Sequence, residues 1–270
     1  MTRDRLPLLL EPHELQAVLG REDLLLVDLS DGYDQGHIPG AVHLDYARVV
    51  NPQPPIKALM PEPPQLRELF SSLGLETNTH VVAYDDEGGG RAARFLWTLE
   101  AVGHSHYSLL DGGLTAWLGE HRPTDLHATA AVAKPYSVHL NEATIADKDY
   151  ILNHLHDSAI AIVDCRTPEE YAGEQTLARR GGHIPGAVNI EWTLTIDQQR
   201  HLRLKSAHEL RALYEDMGIT PDKEVITYCH SHRRSAHSYF VLKTLGYPRL
   251  RGYPGSWSEW GNDPDTPVEP

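Results

Sequence analysis

The sequence contains very little cysteine, and this scarcity excludes a scaffold built on disulfides. Cys165 and Cys229 are the two cysteines in 270 residues. Two cysteines cannot supply the dense cross-linking of small secreted domains, and free thiols are typical of a reducing compartment. We therefore predict a cytoplasmic protein that is held together by a hydrophobic core, which an apolar content of 40% can supply.

Basic residues and long hydrophobic runs are scarce as well. Lysine and arginine number 24 against 38 aspartate and glutamate residues, and the resulting net charge of -14 argues against a nucleic-acid partner. No apolar stretch approaches the length of a membrane-spanning helix, and the run at residues 8–10 is too short for a signal sequence. We predict a monomer with neither a nucleic-acid nor a membrane partner.

An internal repeat organises the chain. The segment His37-Ile-Pro-Gly-Ala-Val recurs unchanged from His183, and three other blocks also recur in the same order about 140 residues downstream. A period of this length indicates the tandem duplication of a whole domain. We predict an N-terminal domain at residues 1–122, a linker at 123–135 and a C-terminal domain at 136–270.

Each copy alternates short apolar strands with helical patterns. Continuous apolar strands separated by helices are typical of a mostly parallel sheet with helices on both faces, so we predict two α/β domains of this class. In such sheets, ligands bind beyond the carboxyl ends of the strands. The predicted strands are residues 24–29, 41–44, 81–84, 160–164, 187–190 and 224–228, and the predicted helices are residues 64–73, 91–102, 207–217 and 235–245.

Two peripheral segments are expected to be solvated. An insertion in the second copy, around residues 173–182, carries Arg179 and Arg180. These arginines could steer anions, but a solvated surface is the favoured interpretation. The tail at residues 262–270 is rich in proline and aspartate and is expected to fray.

One basic loop contrasts with the acidic background. Loop N–H groups, a helix N-terminus and adjacent arginines all favour an anion. Such surroundings lower the pKa of a thiol, so Cys229 is the candidate nucleophile and the rest of the loop is a candidate anion-binding cradle. The alternative, a buried structural cysteine, does not explain the two arginines and two histidines beside it. The cradle residues are His230, Ser231, His232, Arg233, Arg234 and Ser235.

These motifs together resemble those of the rhodaneses, the tandem-domain sulfurtransferases. The resemblance covers nearly the whole chain and rests on the duplicated domain, the His-Ile-Pro-Gly-Ala segment, Asp-x-Arg after an early strand, and Cys-x4-Arg-Ser before a helix. The histidine-containing loop is most similar to that of bacterial rhodaneses. The resemblance implies that Cys229 takes the outer sulfur of thiosulfate, holds it as a persulfide without a cofactor, and passes it to cyanide, a thiol or a protein cysteine.

The resemblance also implies roles for individual side chains. The arginines and histidines of the cradle would supply charge and hydrogen-bond donors to the anionic donor and leaving group, and the serines would supply hydroxyl groups. Behind the loop, Arg166 is expected to pair with Asp164 or another carboxylate and to brace the loop. Trp192 is expected either to line the pocket or to pack in the core.

Other activities remain as alternatives. A persulfide carrier would deliver sulfur to a partner with little turnover, and 3-mercaptopyruvate sulfurtransferases use a similar fold with a glycine-rich, less basic loop. Phosphatases place an arginine after five intervening residues, whereas Arg234 follows Cys229 after four. The tighter loop suits a sulfur atom better than a tetrahedral phosphate. Thiosulfate is therefore the favoured donor.

The first copy has an aspartate where the second has its candidate nucleophile. Asp85 cannot carry a persulfide, so we predict that the N-terminal domain is catalytically silent. The alternative is an independent carboxylate or metal site at residues 85–87. Cys165 has two interpretations, of which an inert filler at a strand end is favoured over a disulfide partner for Cys229 under oxidation. No second Cys/His pair has the spacing of a zinc site, so no metal is predicted.

Overall fold

The structure is a computed structural model that describes residues 5–270 and divides into two compact units. Unit 1 contains the described residues up to Val49, together with Pro61–Leu140 and Asp197–Leu204. Unit 2 contains Val50–Met60, Asn141–Ile196 and Lys205–Pro270. Each unit therefore includes a short segment from the other half of the sequence, and we call residues 50–60 and 197–204 the exchanged segments. The predicted domains are continuous in sequence and do not include this exchange.

The strands and helices alternate along the chain as the repeat indicates. The strands are β1 Leu9–Leu10, β2 Leu24–Asp28, β3 Val42–His43, β4 Asn51–Gln53, β5 Ile56–Leu59, β6 His80–Tyr84, β7 Tyr107–Leu110, β8 Ile160–Asp164, β9 Val188–Asn189, β10 Ile196–Asp197, β11 Arg203–Leu204, β12 Glu224–Tyr228 and β13 Leu250–Gly252. The α-helices are α1 Pro12–Val18, α2 Pro63–Ser72, α3 Gly90–Ala101, α4 Gly113–Gly119, α5 Lys148–His154, α6 Pro168–Tyr171, α7 Ala207–Glu215, α8 Arg234–Thr244 and α9 Ser256–Trp260.

Each unit is built on a parallel sheet, which confirms the predicted fold class. The order in unit 1 is β1-β7-β6-β2-β3, and the order in unit 2 is β13-β12-β8-β9. All pairings within these two sheets are parallel. The central strands β8 and β12 have the predicted bounds, because their isoleucine and valine side chains are buried as a fully covered strand requires.

Alternating side chains of the central strands pack against helices on opposite faces. In unit 2, Ile226 and Tyr228 belong to a cluster with Ile151 of α5 and Trp257 of α9. Successive residues of a strand point to opposite faces, and α8 contacts β12 and β13, so α8 covers the other face. The corresponding cluster in unit 1 joins β6 to α1 and α4. This layering leaves the carboxyl ends of the strands open for a site.

The repeated His-Ile-Pro-Gly-Ala segment makes equivalent contacts in both units. The backbone of His37 pairs in both directions with Asp125, and the backbone of His183 pairs in the same way with Glu269. Each ring also stacks on a tyrosine, with centroids 3.8 Å and 3.7 Å apart. In each unit, the repeated segment therefore binds the segment that follows the last helix of that unit.

The tail does not fray, so that expectation is wrong. Besides the pairing of Glu269, the indole N–H of Trp260 donates to the carbonyl of Pro267 at 2.7 Å. Arg180, expected to be solvated, donates to the carbonyl oxygens of Thr266 at 2.7 Å and Trp260 at 2.9 Å. The insertion thus holds the tail in place through these hydrogen bonds. The local composition of either segment does not indicate this contact. Arg179 is exposed, as expected.

None of the helices within residues 5–270 combines the length and the apolar character that spanning a bilayer demands.

Candidate active site

The basic loop lies at the carboxyl end of the unit 2 sheet. Cys229 directly follows β12, and α8 begins at Arg234. Cys229 is buried, with 1% of its surface exposed. The strand-loop-helix turn therefore directs the first N–H groups of an eleven-residue helix toward the end of the strand that carries the thiol.

The surroundings of Cys229 favour its thiolate. Burial alone would raise the pKa of this thiol, but the charge of Arg234 and a hydrogen bond from the Ser235 hydroxyl oppose this effect. The main-chain N–H groups of Ser235 and Ser231 also donate to the sulfur, and the net effect lowers the pKa of Cys229 below its ordinary value. A buried thiol with a lowered pKa is held as an anion by hydrogen bonds and charge, as a nucleophile requires.

His232 fixes the orientation of the Ser235 hydroxyl. Its Nδ1 lies 2.7 Å from Ser235 Oγ, and both side chains are fully buried. When the hydroxyl donates to the Cys229 sulfur, its oxygen accepts from Nδ1, which assigns the Nδ1–H tautomer. The backbone of His232 has φ of 53°. A histidine in this left-handed conformation is uncommon and marks a sharply turned loop.

Arg234 bridges the thiol and a buried carboxylate. Its guanidinium donates to both oxygens of Glu170, at 2.6 Å and 2.9 Å, and also to the sulfur of Cys229. Burial lowers the pKa of Arg234, but its hydrogen bonds to Glu170 and Cys229 and the negative charges of both groups together raise it by more, so the arginine stays charged. The carboxylate therefore holds the guanidinium against the sulfur by a fork-shaped contact that a lysine could not make.

Glu170 is the main site residue that the sequence reasoning missed. It is 3% exposed, and burial raises the pKa of its carboxyl, but Arg234, with smaller contributions from the Thr167 N–H and Arg166, outweighs burial and lowers the pKa. The carboxylate also accepts from the N–H of Thr167 as part of a capping box at the start of α6. The pattern Thr-Pro-Glu-Glu could have indicated that helix start, but no local signal reveals a partner 64 residues away.

Asp164 and Arg166 form a buried ion pair behind the loop. Arg166 donates to Asp164 at 2.6 Å, and the hydroxyl of Tyr228 donates to the same carboxylate at 2.6 Å. Arg166 also donates to the carbonyl of Gly182 at 2.8 Å, and its guanidinium lies 4.4 Å from the ring centroid of Trp257. The pair therefore ties the end of β8 to the residue before the catalytic loop.

The other predicted residues lie at the same sheet edge. Burial lowers the pKa of His230, although Glu170 opposes this effect, so this histidine supplies no positive charge near neutral pH. Arg233 is half-exposed at the start of α8. The ring of Trp192 packs edge-on against His237, with centroids 5.3 Å apart. Burial lowers the pKa of His237 to about 4.

Helix α9 contacts the loop directly, and strand β5 in turn contacts α9. The N–H of Cys229 donates to Ser256 Oγ at 3.3 Å, and the N–H of Ser258 donates to the carbonyl of His230 at 3.0 Å. The hydroxyl of Ser258 in turn accepts from the N–H of Lys57 in β5 at 3.0 Å. The sequence analysis did not predict these serine contacts.

The equivalent loop of unit 1 is occupied by its own carboxylate. The two oxygens of Asp85 accept from the N–H groups of Glu87, Gly89, Arg91 and Ala92, at 2.7 to 3.0 Å. The side chain of Arg91 forms ion pairs with Asp31 and Glu87. Nowhere in residues 5–270 do three or more His, Cys, Asp or Glu side chains form a group suited to a metal ion, so the alternative metal site gains no support.

Comparisons with known proteins agree with this description. The rhodanese-like domain model matches residues 11–120 and 147–263. The chain is 49% identical to a thiosulfate sulfurtransferase of Azotobacter vinelandii, covering 98% of this chain and 97% of that protein. It is 38% identical to the sulfur carrier protein TtuD of Thermus thermophilus, covering 96% and 92%.

Among solved structures, the chain is similar to the 3-mercaptopyruvate sulfotransferase SseA of Escherichia coli. The identity is 26%, the TM-score is 0.84, and the match covers 93% of this chain and 99% of that chain. Both halves of the sequence match one family model, and both units contain the corresponding sheet. The chain belongs to the rhodanese family and carries two rhodanese-like domains in tandem.

Proposed function

We propose that this protein is a thiosulfate sulfurtransferase in which Cys229 carries the transferred sulfur as a persulfide. The thiolate attacks the outer sulfur of thiosulfate. A bond forms between the two sulfurs, the sulfur–sulfur bond of thiosulfate breaks, and sulfite leaves with the electron pair. No cofactor is needed, because the cysteine itself holds the group between the two half-reactions.

The second half-reaction returns the thiolate. Cyanide attacks the outer sulfur of the persulfide, the persulfide bond breaks, and thiocyanate leaves while Cys229 regains its charge. A thiol or a protein cysteine can attack the same sulfur in place of cyanide. The donor, leaving group and intermediate are all anions, so one set of fixed donors serves both steps.

The observation that carries this proposal is the set of donors around the buried sulfur of Cys229, which lowers the pKa of its thiol. Arg234 supports the anionic donor because its charge faces the sulfur, while Glu170 keeps the guanidinium in place. The N–H groups of Ser231 and Ser235 are suited to the charge that the outer sulfur acquires. Arg233, His230 and His232 complete the proposed cradle, and Asp164, Arg166 and Trp192 support it from behind.

Steady-state formation of thiocyanate from thiosulfate and cyanide tests the proposal. We expect turnover by the wild type and none by Cys229→Ser, whereas Arg179→Ala, which removes an exposed arginine, should retain wild-type turnover. Turnover by Cys229→Ser would contradict the proposed nucleophile. A parallel assay with 3-mercaptopyruvate tests the donor, and we expect it to be the poorer one because the loop is basic rather than glycine-rich.

A persulfide carrier is the second candidate function, favoured by the similarity to the sulfur carrier protein TtuD. A carrier would load one sulfur from a donor and keep it until a partner protein arrives. The two functions differ in the second half-reaction. A loaded protein that releases sulfur to cyanide much more slowly than it accepts sulfur from thiosulfate would favour the carrier.

We propose that unit 1 is catalytically silent, because the Asp85 carboxylate already occupies the N–H groups of its loop. We place the reaction in the cytoplasm, since both cysteines are free thiols, and we propose that the protein acts as a monomer. The partners are then a small anionic donor and a thiophilic acceptor. Size-exclusion chromatography with light scattering tests the oligomeric state, and a dimer mass would contradict it.

A further inference from the structure

Cys165 carries a buried nucleophilic group that sulfur transfer does not use, and its place in the sheet is next to Cys229. The β8–β12 ladder pairs Asp164 with Tyr228, and the N–H of Cys165 extends that ladder by donating to the carbonyl of Tyr228 at 2.9 Å. The two cysteines come directly after this last pair of the ladder. Neighbouring strands lie about 4.8 Å apart, within the Cα separation of roughly 4.4–6.8 Å that a disulfide spans.

The two thiols also share one face of the sheet. Asp164 and Tyr228 point to the same face, where the tyrosine hydroxyl donates to the carboxylate at 2.6 Å. Successive side chains alternate, so Cys165 and Cys229 both point to the opposite face, toward α8. The charge of Cys229 opposes ionisation of Cys165, and Arg234 favours ionisation of both thiols. The two sulfurs therefore lie in one electrostatic environment.

The two thiols differ in reactivity. Cys165 is fully buried, and burial raises the pKa of its thiol well above the ordinary value. The pKa of Cys229 is lowered, because Arg234 and the hydrogen bonds of the loop outweigh its burial. Oxidants react with thiolates, so peroxide is expected to attack Cys229 first and leave Cys165 as an unoxidised thiol beside the product.

We propose that Cys165 is the resolving cysteine for an oxidised Cys229, so that hydroperoxides convert the protein reversibly to a Cys165–Cys229 disulfide. The thiolate attacks one peroxide oxygen, the O–O bond breaks, and a sulfenic acid forms while hydroxide leaves and takes a proton to become water. The sulfur of Cys165 then displaces hydroxide from the sulfenic sulfur: the S–S bond forms, the S–O bond breaks, and the hydroxide takes the Cys165 proton to leave as water. Two thiols and one hydrogen peroxide thus give one disulfide and two water molecules.

The consequence is protection of the nucleophile. Without a resolving thiol, further peroxide carries a sulfenic acid to the sulfinic acid, which thiols do not reduce. The disulfide blocks sulfur transfer while it lasts, but a small dithiol restores both cysteines. This inference rests on the thiolate character of Cys229 in the proposed function and not on the identity of the sulfur donor or acceptor.

Titration of the full-length wild type with hydrogen peroxide, beside Cys165→Ser and Cys165→Ala, tests the proposal. Intact mass and non-reducing peptide maps are recorded first, and thiosulfate:cyanide turnover is measured after dithiothreitol. We expect the wild type to lose two hydrogens, to yield a cross-linked peptide and to recover its turnover. The variants should gain oxygen atoms on Cys229 and recover at least several-fold less turnover.

The proposal would be overturned if sulfinic Cys229 formed in the wild type to the same extent as in both variants and turnover recovered equally in all three proteins. Two substitutions are used because serine buries a hydroxyl whereas alanine leaves a small cavity, and circular dichroism identifies a variant that fails to fold. Failure of the proposed function remains distinguishable. A wild type that forms the disulfide but makes no thiocyanate before oxidation would reject the sulfurtransferase and retain the resolving cysteine.

Discussion

At the level of single side chains, Arg234 contacts two anions at once. It donates to the buried carboxylate of Glu170 and to the sulfur of Cys229. The carboxylate fixes the position of the guanidinium but also shares its charge. The reactivity of the thiol therefore depends on a balance between orientation and charge, and the two can be separated by substitution.

Substitution of Arg234 should raise the pKa of Cys229. Arg234→Lys keeps a positive charge but loses the fork, and Arg234→Met loses both. We expect turnover with thiosulfate to fall by about 10² or more in Arg234→Met, with a smaller loss in Arg234→Lys. The pH dependence of iodoacetamide alkylation measures the thiol directly: its midpoint should move to higher pH in the order wild type, lysine, methionine. An unchanged midpoint would contradict the role of Arg234.

Substitution of Glu170 should have the opposite effect on the thiol. Glu170→Gln removes the negative charge that shares the guanidinium, so the alkylation midpoint should move to lower pH. Turnover should nevertheless fall, because Arg234 loses its bidentate partner. Glu170→Asp, which restores the charge on a shorter side chain, should recover part of the turnover. A midpoint that moves to higher pH in Glu170→Gln would show that the carboxylate acts through loop structure alone.

Thiosulfate turnover by the wild type should fall as the pH decreases through the lowered pKa of Cys229. Protonation then removes the thiolate, and no histidine of the loop is needed to explain the loss. Above this pKa the rate should reach a plateau that begins below the ordinary pKa of a thiol. A pH–rate profile of kcat/KM measures this dependence, and a rate still rising through the ordinary thiol pKa would contradict it.

At the level of elements, the strand-loop-helix turns of both units present backbone N–H groups that need an acceptor, whether or not the loop carries a thiol. The unit 1 loop presents four N–H groups, and the Asp85 carboxylate satisfies them. The unit 2 loop presents its N–H groups to the sulfur of Cys229. In each unit, an anionic side chain on the residue after the strand accepts from the N–H groups of the turn. The aspartate of unit 1 therefore stabilises its turn.

Removal of the Asp85 carboxylate should therefore destabilise unit 1 without affecting sulfur chemistry. Each buried N–H left without a partner costs about 1–3 kcal/mol, so Asp85→Ala should lower the free energy of unfolding by at least about 2 kcal/mol. Asp85→Asn, which retains one acceptor oxygen, should lose less. Urea denaturation measures the stability. An Asp85→Ala protein of wild-type stability would contradict this explanation.

The sequence predicts some of the elements that bury apolar side chains and misses others, among them the buried strand β7. Residues 160–164 and 224–228 are strands with the predicted bounds, since their apolar side chains are covered on both faces. Strand β13 was missed because it is three residues long and carries Arg251, whose charge pairs with Glu224. Glu170 was missed because a long-range ion pair leaves no periodic trace in the sequence.

At the level of the whole molecule, each unit depends on residues from the other half of the chain. Residues 50–60 belong to unit 2, where Lys57 donates to the serine that supports the catalytic loop. Residues 197–204 belong to unit 1, where the N–H of Leu204 donates to Asp111 at 2.8 Å. The repeat could not indicate this exchange, because repeated blocks identify equivalent segments but not the unit in which each segment packs.

Separation of the chain at the predicted linker should therefore damage both halves. A fragment of residues 136–270 keeps every loop residue but loses residues 50–60 and retains 197–204 without their partners. We expect it to resist limited proteolysis less than the full chain and to turn over thiosulfate much more slowly. Co-expression with residues 1–135 should recover both properties in part. A fragment as stable and active as the full chain would contradict the dependence on the exchanged segments.

The most direct test of Cys229 as the sulfur-carrying residue is the intact mass and peptide map of the protein after treatment with thiosulfate. We predict a gain of one sulfur atom on the peptide that contains Cys229, no gain in Cys229→Ser, and loss of that sulfur to cyanide with one thiocyanate formed per persulfide. An unmodified Cys229 in a protein that still forms thiocyanate, or a sulfur atom found on Cys165, would contradict it.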